Sequence, residues 1–538
     1  MWLALCKKRC SCCPCPCCHE PSDPKGVNNR GFHDTSEVRE APEKQEDPKD
    51  QETPEKPAKT KRLPSEVPRD LKDERNEGRS SASRRPSEPK RFSQVSIYPY
   101  RARSPEDLTV EKGELLLVID RRGDWLIAKK LTQNGEAGYI HRSYLADVGS
   151  LEAEDWYFGP LKRMDAKRYL LQNENQTGSF LVWKNEDLDC YYLSVRVDAV
   201  VRHYRIRQNS VSFYLVERAS FRTLSRLVEY YSVASDGLCA RLENPCVKLD
   251  LPSLTTLSHT TVDNLEIPPT AVTKISQLGR GSTGCVWLGL WNETTKVAIK
   301  EFKVTPELLQ RSLYGEAETM WKLNHRRLLK LYAVCLQSKP VFIVMEYMKN
   351  GTLRTFLRAH QKERDLDLHQ LIDFAVQIAE GMKYMEQQGC VHRDLRTENV
   401  LLSAMMSCKI GDFGLARFMD SSYITMSADS KIPIKWMAPE VFHMSKYSSK
   451  SDVWSFGVLL VEIMTYGKIP FPDKTNLDYV QIITSGKSPP PPEDCPEDIA
   501  NLMKTCWIQE LALRPSFSKI ESYVMDLLKP SFGEDTME

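Results

Sequence analysis

Apolar positions divide the chain before any single residue does. Across residues 19–92 they are too sparse for either a two-residue or a 3.6-residue period, and the segment is dense in Pro, Glu, Lys, Arg and Ser with almost no aromatics. Such a stretch cannot bury enough apolar area to offset the entropy of ordering it, so a disordered arm is expected. At residue 93 the pattern changes. Residues 93–148 hold short alternating apolar runs broken by Gly and Pro, the pattern of a small all-β barrel. Residues 155–250 open on "WYFGPL" and pass through a helical run, "AKRYLLQ". The strand-length runs "SFLVW", "YYLSVRV", "HYRIR" and "SFYLVE" follow, then a second helical run, "TLSRLVEYY", which together predict a small α+β unit. Residues 251–269 are rich in Thr, Ser and Pro and read as a linker. Residues 270–530, strand-rich first and helix-rich later, predict one larger bilobal α+β domain, with 531–538 as a tail. No internal repeat is present.

Composition narrows this picture. A length of 538 residues allows several proper cores, and 41% apolar with 27% charged residues describes a globular protein. Net charge is +1, so no bulk field favours nucleic acid, and no nucleic-acid partner is expected. No apolar run reaches the roughly 20 residues that cross a bilayer. The start, "MWLAL", is too short for a secretory signal and runs straight into "CKKRC", so a cytoplasmic location is expected. Of 16 cysteines, seven lie at Cys6, Cys10, Cys12, Cys13, Cys15, Cys17 and Cys18, inside the basic N-terminal segment 1–18. The others are scattered without metal-ligand spacing and are expected to be reduced thiols.

The larger domain carries chemistry. "LGRGSTGCVW" places Gly279, Gly281, Gly284 and Val286 as a loop whose backbone can approach phosphates. Fourteen residues after Val286, "VAIK" ends at Lys300; sixteen further on, Glu316 falls in a helical stretch and can pair with it. In "VHRDLRTENVLL", Asp394 can take the proton of an attacking hydroxyl, and Asn399 can hold a metal ion. The "DFG" that follows offers Asp412 to bridge Mg²⁺ and phosphate oxygens, and "APE" closes the segment at Ala438–Glu440. One such motif arises by chance; the set, in this order and spacing, matches protein kinases.

Residues 270–530 thus resemble a tyrosine kinase catalytic domain of the Src type, through "HRDLRTEN", "KIPIKWMAPE", "SDVWSFGVLL" and "RPSF". The resemblance implies transfer of the ATP γ-phosphate to tyrosine in protein substrates, with Mg²⁺ or Mn²⁺. It marks Arg396 and Pro433–Trp436 as tyrosine-kinase features. It places Leu278, Met345 (the gatekeeper) and Met348 (the hinge) at the adenine site, and pairs Glu440 with Arg514. It makes Tyr423 the activation-loop phosphorylation site, with Arg417 as its partner. Thr283 departs from the aromatic often found at the loop tip. The other reading is a pseudokinase or signalling adaptor acting through the modules in front.

Those modules also resemble Src-type ones. Residues 95–147 resemble an SH3 domain through "SIYPY", "GDWLIA" and "GYIHRSYL". Tyr98, Tyr100, Trp125 and Tyr144 would wall a groove for proline-rich ligands, and Asp107 would meet a basic residue of the ligand. His141 and Ser143 stand where the family usually has proline and asparagine. Residues 155–250 resemble an SH2 domain, in which Arg163, His203 and Arg205 fall at pocket positions. The strand "GSFLVWKN" puts Trp183 where the family's phosphate-forking arginine belongs. An indole offers one neutral N–H in place of two charged donors, and Lys184 points to the opposite face. Weak or absent phosphotyrosine binding is expected; the alternative is a site in which Arg163 and Arg205 suffice.

The closing "KPSFGEDTME" has no tyrosine for an SH2 domain to grip, and Tyr523 is expected to pack inside the last helix. The linker position of the family's tryptophan is Leu265. Control by a tail clamp is therefore not expected. Residue 2 is Trp, which excludes myristoylation; cysteines beside three basic residues suit S-palmitoylation and peripheral membrane contact, with metal binding or no specific role as alternatives. Within the arm, Pro54, Pro57 and Lys59 fit either a polyproline-type ligand or a plain linker, and Ser87 follows two arginines. Among Src-related kinases the resemblance is nearest to the non-myristoylated branch of breast tumour kinase and Fyn-related kinase.

Overall fold

The structure, a computed structural model, describes residues 93–528 except 133–134, 186–187, 253, 255, 263–264, 282–283, 303–314, 414–415, 419–423 and 426–432. The expectations for the N-terminal cysteines, the arm, Thr283, Tyr423 and the tail lie outside the described residues. Among those described, nine cysteines are free thiols, and no helix is long and apolar enough to cross a membrane.

The first unit is one antiparallel sheet of β1 (Ser93–Ser96), β2 (Leu115–Arg122), β3 (Trp125–Lys130), β4 (Ala137–His141) and β5 (Leu145–Asp147), in the order β4-β3-β2-β1-β5. Its inward positions, among them Tyr100, Val110, Leu116, Trp125 and Ile140, are buried.

The second unit shows why strand alternation matters here. Its sheet has the order β11-β10-β9-β8-β7-β6, built from β6 (Tyr157–Pro160), β7 (Phe180–Asn185), β8 (Cys190–Val197), β9 (Val200–Gln208), β10 (Phe213–Tyr214) and β11 (Ser220–Phe221). Helix α1 (Arg163–Leu170) covers one face and α2 (Leu224–Val233) the other. Along β7 the side chains alternate. Phe180 and Val182 join the core under α2, while Leu181 and Trp183 join Ala166 and Leu170 under α1. The run "SFYLVE" forms a strand only at Phe213–Tyr214; Leu215–Glu217 lie in bends and a turn that lead to β11.

The third unit begins with a sheet in the order β12-β13-β14-β16-β15: β12 (Val272–Arg280), β13 (Gly284–Trp291), β14 (Thr295–Phe302), β15 (Leu331–Cys335) and β16 (Phe342–Glu346), with α3 (Gly315–Lys322) beside it. A helical lobe follows, with α4 (Leu353–Ala359), α5 (Leu368–Gln387), the paired β17 (Cys390–Val391) and β20 (Arg417–Phe418), the paired β18 (Val400–Leu402) and β19 (Cys408–Ile410), α6 (Pro439–Met444), α7 (Ser449–Met464), α8 (Asn476–Thr484), α9 (Glu497–Cys506) and α10 (Phe517–Asp526). Capping boxes at Asp367–Gln370 and Ser448–Ser451 start the two longest helices by satisfying their first free N–H groups. Residues Val453–Ile463 of α7 are buried throughout, so this helix is the centre of the lobe.

Two expectations change. The linker is packed, not free: Leu254, Leu257 and Ile267 join a core shared with the barrel and the β12–β16 sheet. Backbone bonds between Leu265, Ile267 and Val334 fasten its end to β15. Tyr523 is not a packing residue. The buried face of α10 is Phe517, Ile520 and Val524, at helical spacing. Tyr523 falls off that stripe, is 37% exposed, and donates its hydroxyl to Asp498 O.

Candidate active site

The glycines of the β12–β13 hairpin do different work. A Cβ at Gly284 would sit 1.6 Å from Glu301 O, so packing against the next strand demands glycine there. A Cβ at Gly279 or Gly281 would meet nothing within 4 Å, which leaves the space beside both backbones open to a ligand. Gly279 pairs with Val286, Val286 with Lys300, and Ala298 with Met345. One short register thus sets Gly279, Lys300 and Met345 on neighbouring strands of one sheet. Met345 and Met348 are buried, whereas Leu278 is exposed at the hairpin's rim. Met348 O accepts from Gly351 N, which turns the hinge chain.

Lys300 is nearly buried, and its Nζ lies 2.7 Å from Glu316 Oε1 on α3 and 3.0 Å from Asp412 Oδ1. Burial alone would lower the lysine's pKa; the two carboxylates more than offset this and raise it. Lys300 in turn holds the Asp412 carboxyl below its ordinary value. Asp412 adopts φ +56°, a left-handed conformation that costs a non-glycine residue free energy and needs outside support. Lys300 supplies that support on one side. On the other, Phe413 is fully buried beside the His392 ring.

The segment 392–399 is held from below. Asp452, buried on α7, accepts from His392 N at 2.7 Å and Arg393 N at 2.9 Å, which fixes Arg393 at φ +68°. His392 accepts from Asp394 N through Nδ1 and donates through Nε2 to Gly411 O. That is the neutral tautomer, as burial, which pushes its pKa down to about 4, requires. Asn399 donates Nδ2 to Asp394 O, and Asn399 O accepts from Gly411 N, so this loop and the Asp412 segment share backbone anchors.

Asp394 Oδ1 is buried and accepts no hydrogen bond from the described residues. It lies 3.1 Å from Arg396 Nε, an ion pair without hydrogen-bond alignment. Burial pushes the Asp394 carboxyl up to about 7, with Arg396 pulling the other way. Arg396 also pairs with Glu398 at 3.0 Å and lies over the Trp436 ring. Trp436 Nε1 and the Thr397 N–H and hydroxyl all donate to Glu462 of α7. The "PIKW" segment is thereby tied to the Asp394 loop. Glu440 and Arg514 form a bidentate pair at 2.7 and 2.8 Å. The sequence reading missed Asp452 and Glu462; its available signal was an acid at each end of the apolar run "VWSFGVLLV". Arg417 lies on β20, paired through its backbone with Val391.

The five SH3-groove residues come together: Tyr100 packs edge-on against Trp125 and Tyr144, Tyr98 against Tyr144, and the Tyr100 hydroxyl donates to Asp107 Oδ2. The groove is filled by the chain's own linker. Trp125 is completely buried and donates Nε1 to Thr256 Oγ1 at 2.9 Å. His259 stacks on Tyr139 at 3.7 Å, and its Nε2 lies 2.7 Å from Glu106 Oε2. His141 is buried against Trp125 at 5.4 Å, which drives its pKa down to about 4.

At the SH2 pocket, Trp183 is 1% exposed and stacks on Tyr192 at 4.8 Å. Its Nε1 donates to Ser194 Oγ at 2.9 Å, and Ser194 Oγ shares a second hydrogen bond with His203 Nδ1 at 2.7 Å. The indole N–H is satisfied within the domain, and His203 is neutral, with burial and then Arg163 and Lys167 lowering its pKa to about 3. Arg205 stands opposite Tyr192 on β9. Lys184 pairs with Asp189 at 2.8 Å. A cavity of about 780 Å³ opens nearby, lined by Arg205, Arg207, Tyr231 and Leu238 among others.

Comparison with known families agrees with this geometry. Residues 272–524 match the family described as protein tyrosine and serine/threonine kinase. Residues 156–231 match the SH2 domain and 95–140 the SH3 domain. Residues 272–524 have the protein kinase fold, and the SH3, SH2 and kinase domains stand in the order of Src-like kinases.

Proposed function

We propose that this chain is a non-receptor tyrosine kinase, phosphorylating tyrosine hydroxyls of proteins and itself at Tyr423. The observation that carries the reading is the completed constellation Lys300–Glu316–Asp412, with Asp394 Oδ1 buried and unbonded beside it. Bound MgATP supplies the γ-phosphoryl group and a metal charge that offsets the phosphates. Gly279 and Gly281 leave room for the phosphates, Lys300 meets them, and Ala298, Met345 and Met348 bound the adenine side. Asn399 has its amide nitrogen committed to Asp394 O, which leaves its oxygen free to face a metal ion, so Asn399 and Asp412 would hold the metal through side-chain oxygens. Two protein oxygens suit Mg²⁺, which takes its remaining ligands from phosphate and water. Asp394 orients the tyrosine hydroxyl and accepts its proton, and Arg396 keeps enough of the carboxylate ionised to do so.

The test is phosphoryl transfer by the purified chain, with Mg²⁺ or Mn²⁺, to peptides that differ only in carrying Tyr, Ser or Thr. Transfer to the Tyr peptide is expected, with a loss of about 10²–10⁴-fold in Asp394→Asn. Equal transfer to Ser, or none to any peptide from the wild type, would overturn the reading. Absent transfer with the cellular effect retained would favour the adaptor.

The SH2 module, on this reading, does not read phosphotyrosine, because the place of the arginine fork is filled by a satisfied indole. The SH3 groove takes proline-rich ligands only in competition with the linker that fills it.

A further inference from the structure

Helix α1 has its inner side packed on Trp183, and its outer side meets the kinase domain in a buried network of charges. Asp165 Oδ2 accepts from Arg326 and Oδ1 from Arg327, both at 2.9 Å. Arg168 bonds Asp165 on its own helix and reaches Asp373 of α5 at 3.3 Å. Lys162, the residue just before α1, pairs with Glu521 of α10 at 2.8 Å and lies 3.4 Å from Glu380 of α5. Glu380 closes the circuit by bonding both Arg326 and Arg327. The side chains of Asp165 and Arg327 are each 3% exposed. Burial would raise the Asp165 carboxyl, but Arg327, Arg168 and Arg326 hold it far below its ordinary value.

We propose that the SH2 domain is a constitutive intramolecular brace of the kinase, docked through Lys162, Asp165 and Arg168 without any phosphotyrosine. Three observations carry it. First, every docking contact here is made by side chains the protein always has. Second, the place of the family's phosphate-forking arginine holds the indole on which α1 rests. Third, the docked state carries the intact Lys300–Glu316–Asp412 constellation, so docking accompanies the assembled site. The link to chemistry is short. Arg327 O accepts from Ile410 N, and Leu329 N donates to Ile410 O, two residues before Asp412. Arg327 also donates to Ser407 Oγ at the entry to β19. The residue that Asp165 grips is therefore hydrogen-bonded to the strand that presents Asp412, and Asp165 acts as a positioning residue.

The bracing half of this proposal rests on the kinase reading above; the docking half does not, and the experiment separates them. The full chain is treated with a tyrosine phosphatase, and amide hydrogen exchange is followed in α1, residues 324–328 and α5, alongside transfer to a Tyr peptide. Protection in these segments is expected to survive dephosphorylation and to ignore added phosphotyrosine peptide. Asp165→Lys is expected to lose that protection and to lower kcat/KM about fivefold. Exchange protection in β8 and β9 of the SH2 sheet is expected to stay unchanged in Asp165→Lys, which distinguishes undocking from a misfolded SH2 domain. Protection lost on dephosphorylation, or unchanged in Asp165→Lys, overturns the docking. Protection lost with activity unchanged or raised overturns the brace.

Discussion

Desolvation has opposite consequences at Asp394 and Trp183. At Asp394 a charge-bearing group loses water and its pKa rises to about 7, with Arg396 as the opposing charge. The unfolded carboxyl titrates near 4, so the folded chain holds the proton over roughly pH 4–7, and a contribution to stability fully present below pH 4 falls away across that window and is gone above 7. Catalysis needs the other form. kcat/KM for a Tyr peptide is therefore expected to fall about tenfold per pH unit below an apparent pKa near 7. Arg396→Gln removes the charge that lowers Asp394, so the acid limb should move to higher pH; a limb that stays in place would separate Asp394 from the profile. At Trp183 an uncharged ring loses water instead, and the pocket becomes core. Trp183→Arg is expected to give up about 3–5 kcal/mol of packing while gaining measurable affinity for a phosphotyrosine peptide, read by fluorescence polarisation against the unresponsive native chain. Both residues were legible in the sequence, because phosphoryl transfer and phosphate capture demand particular groups at particular spacings. Asp452 was harder to see: its partners are backbone N–H groups of His392 and Arg393, which every residue but proline possesses, so its place at the edge of an apolar run was the only mark and did not point to a role.

Elements were legible where a face is one-sided. Strand β7 alternates between two cores, and α10 shows its buried stripe at helical spacing. The linker was not, since Thr, Ser and Pro composition also describes a chain lying extended in a groove. What identifies it is tertiary: Thr256 under the Trp125 N–H, His259 between Tyr139 and Glu106, and Ile267 on Val334. A tethered segment competes at an effective concentration near the millimolar range, which masks the groove from weak external ligands. Thr256→Val with His259→Ala removes both polar anchors and should raise the apparent affinity of the full chain for a proline-rich peptide about tenfold, measured by calorimetry. An unchanged affinity would mean that the apolar contacts of Leu254 and Leu257 hold the linker unaided.

At the scale of the whole molecule, the sequence named three domains but not how they are held, because ion pairs between segments far apart in the chain leave no local pattern. Lys162 and Glu521 are 359 residues apart, and Asp165 and Arg327 are 162 apart. In a kinase shut by a tail, the SH2 domain must hold a phosphotyrosine, and release of the tail must free the catalytic lobe. Here residues 529–538 contain no tyrosine, and Trp183 and its hydrogen-bonded chain fill the site where one would be read. The SH2 domain meets α5 and α10 through fixed charges instead. Removing residues 529–538 takes away none of these contacts, for Glu521 lies within α10, upstream of the cut. The truncated chain should therefore phosphorylate a Tyr peptide with kcat/KM within about twofold of the full chain, a difference of under 0.5 kcal/mol in transition-state stabilisation. A tenfold rise would mean that the tail restrains the enzyme by contacts other than a phosphotyrosine, and restraint would then have to be sought on the tail's own surface of the lobe. A tenfold fall would show that the brace at Glu521 depends on residues 529–538 for its support.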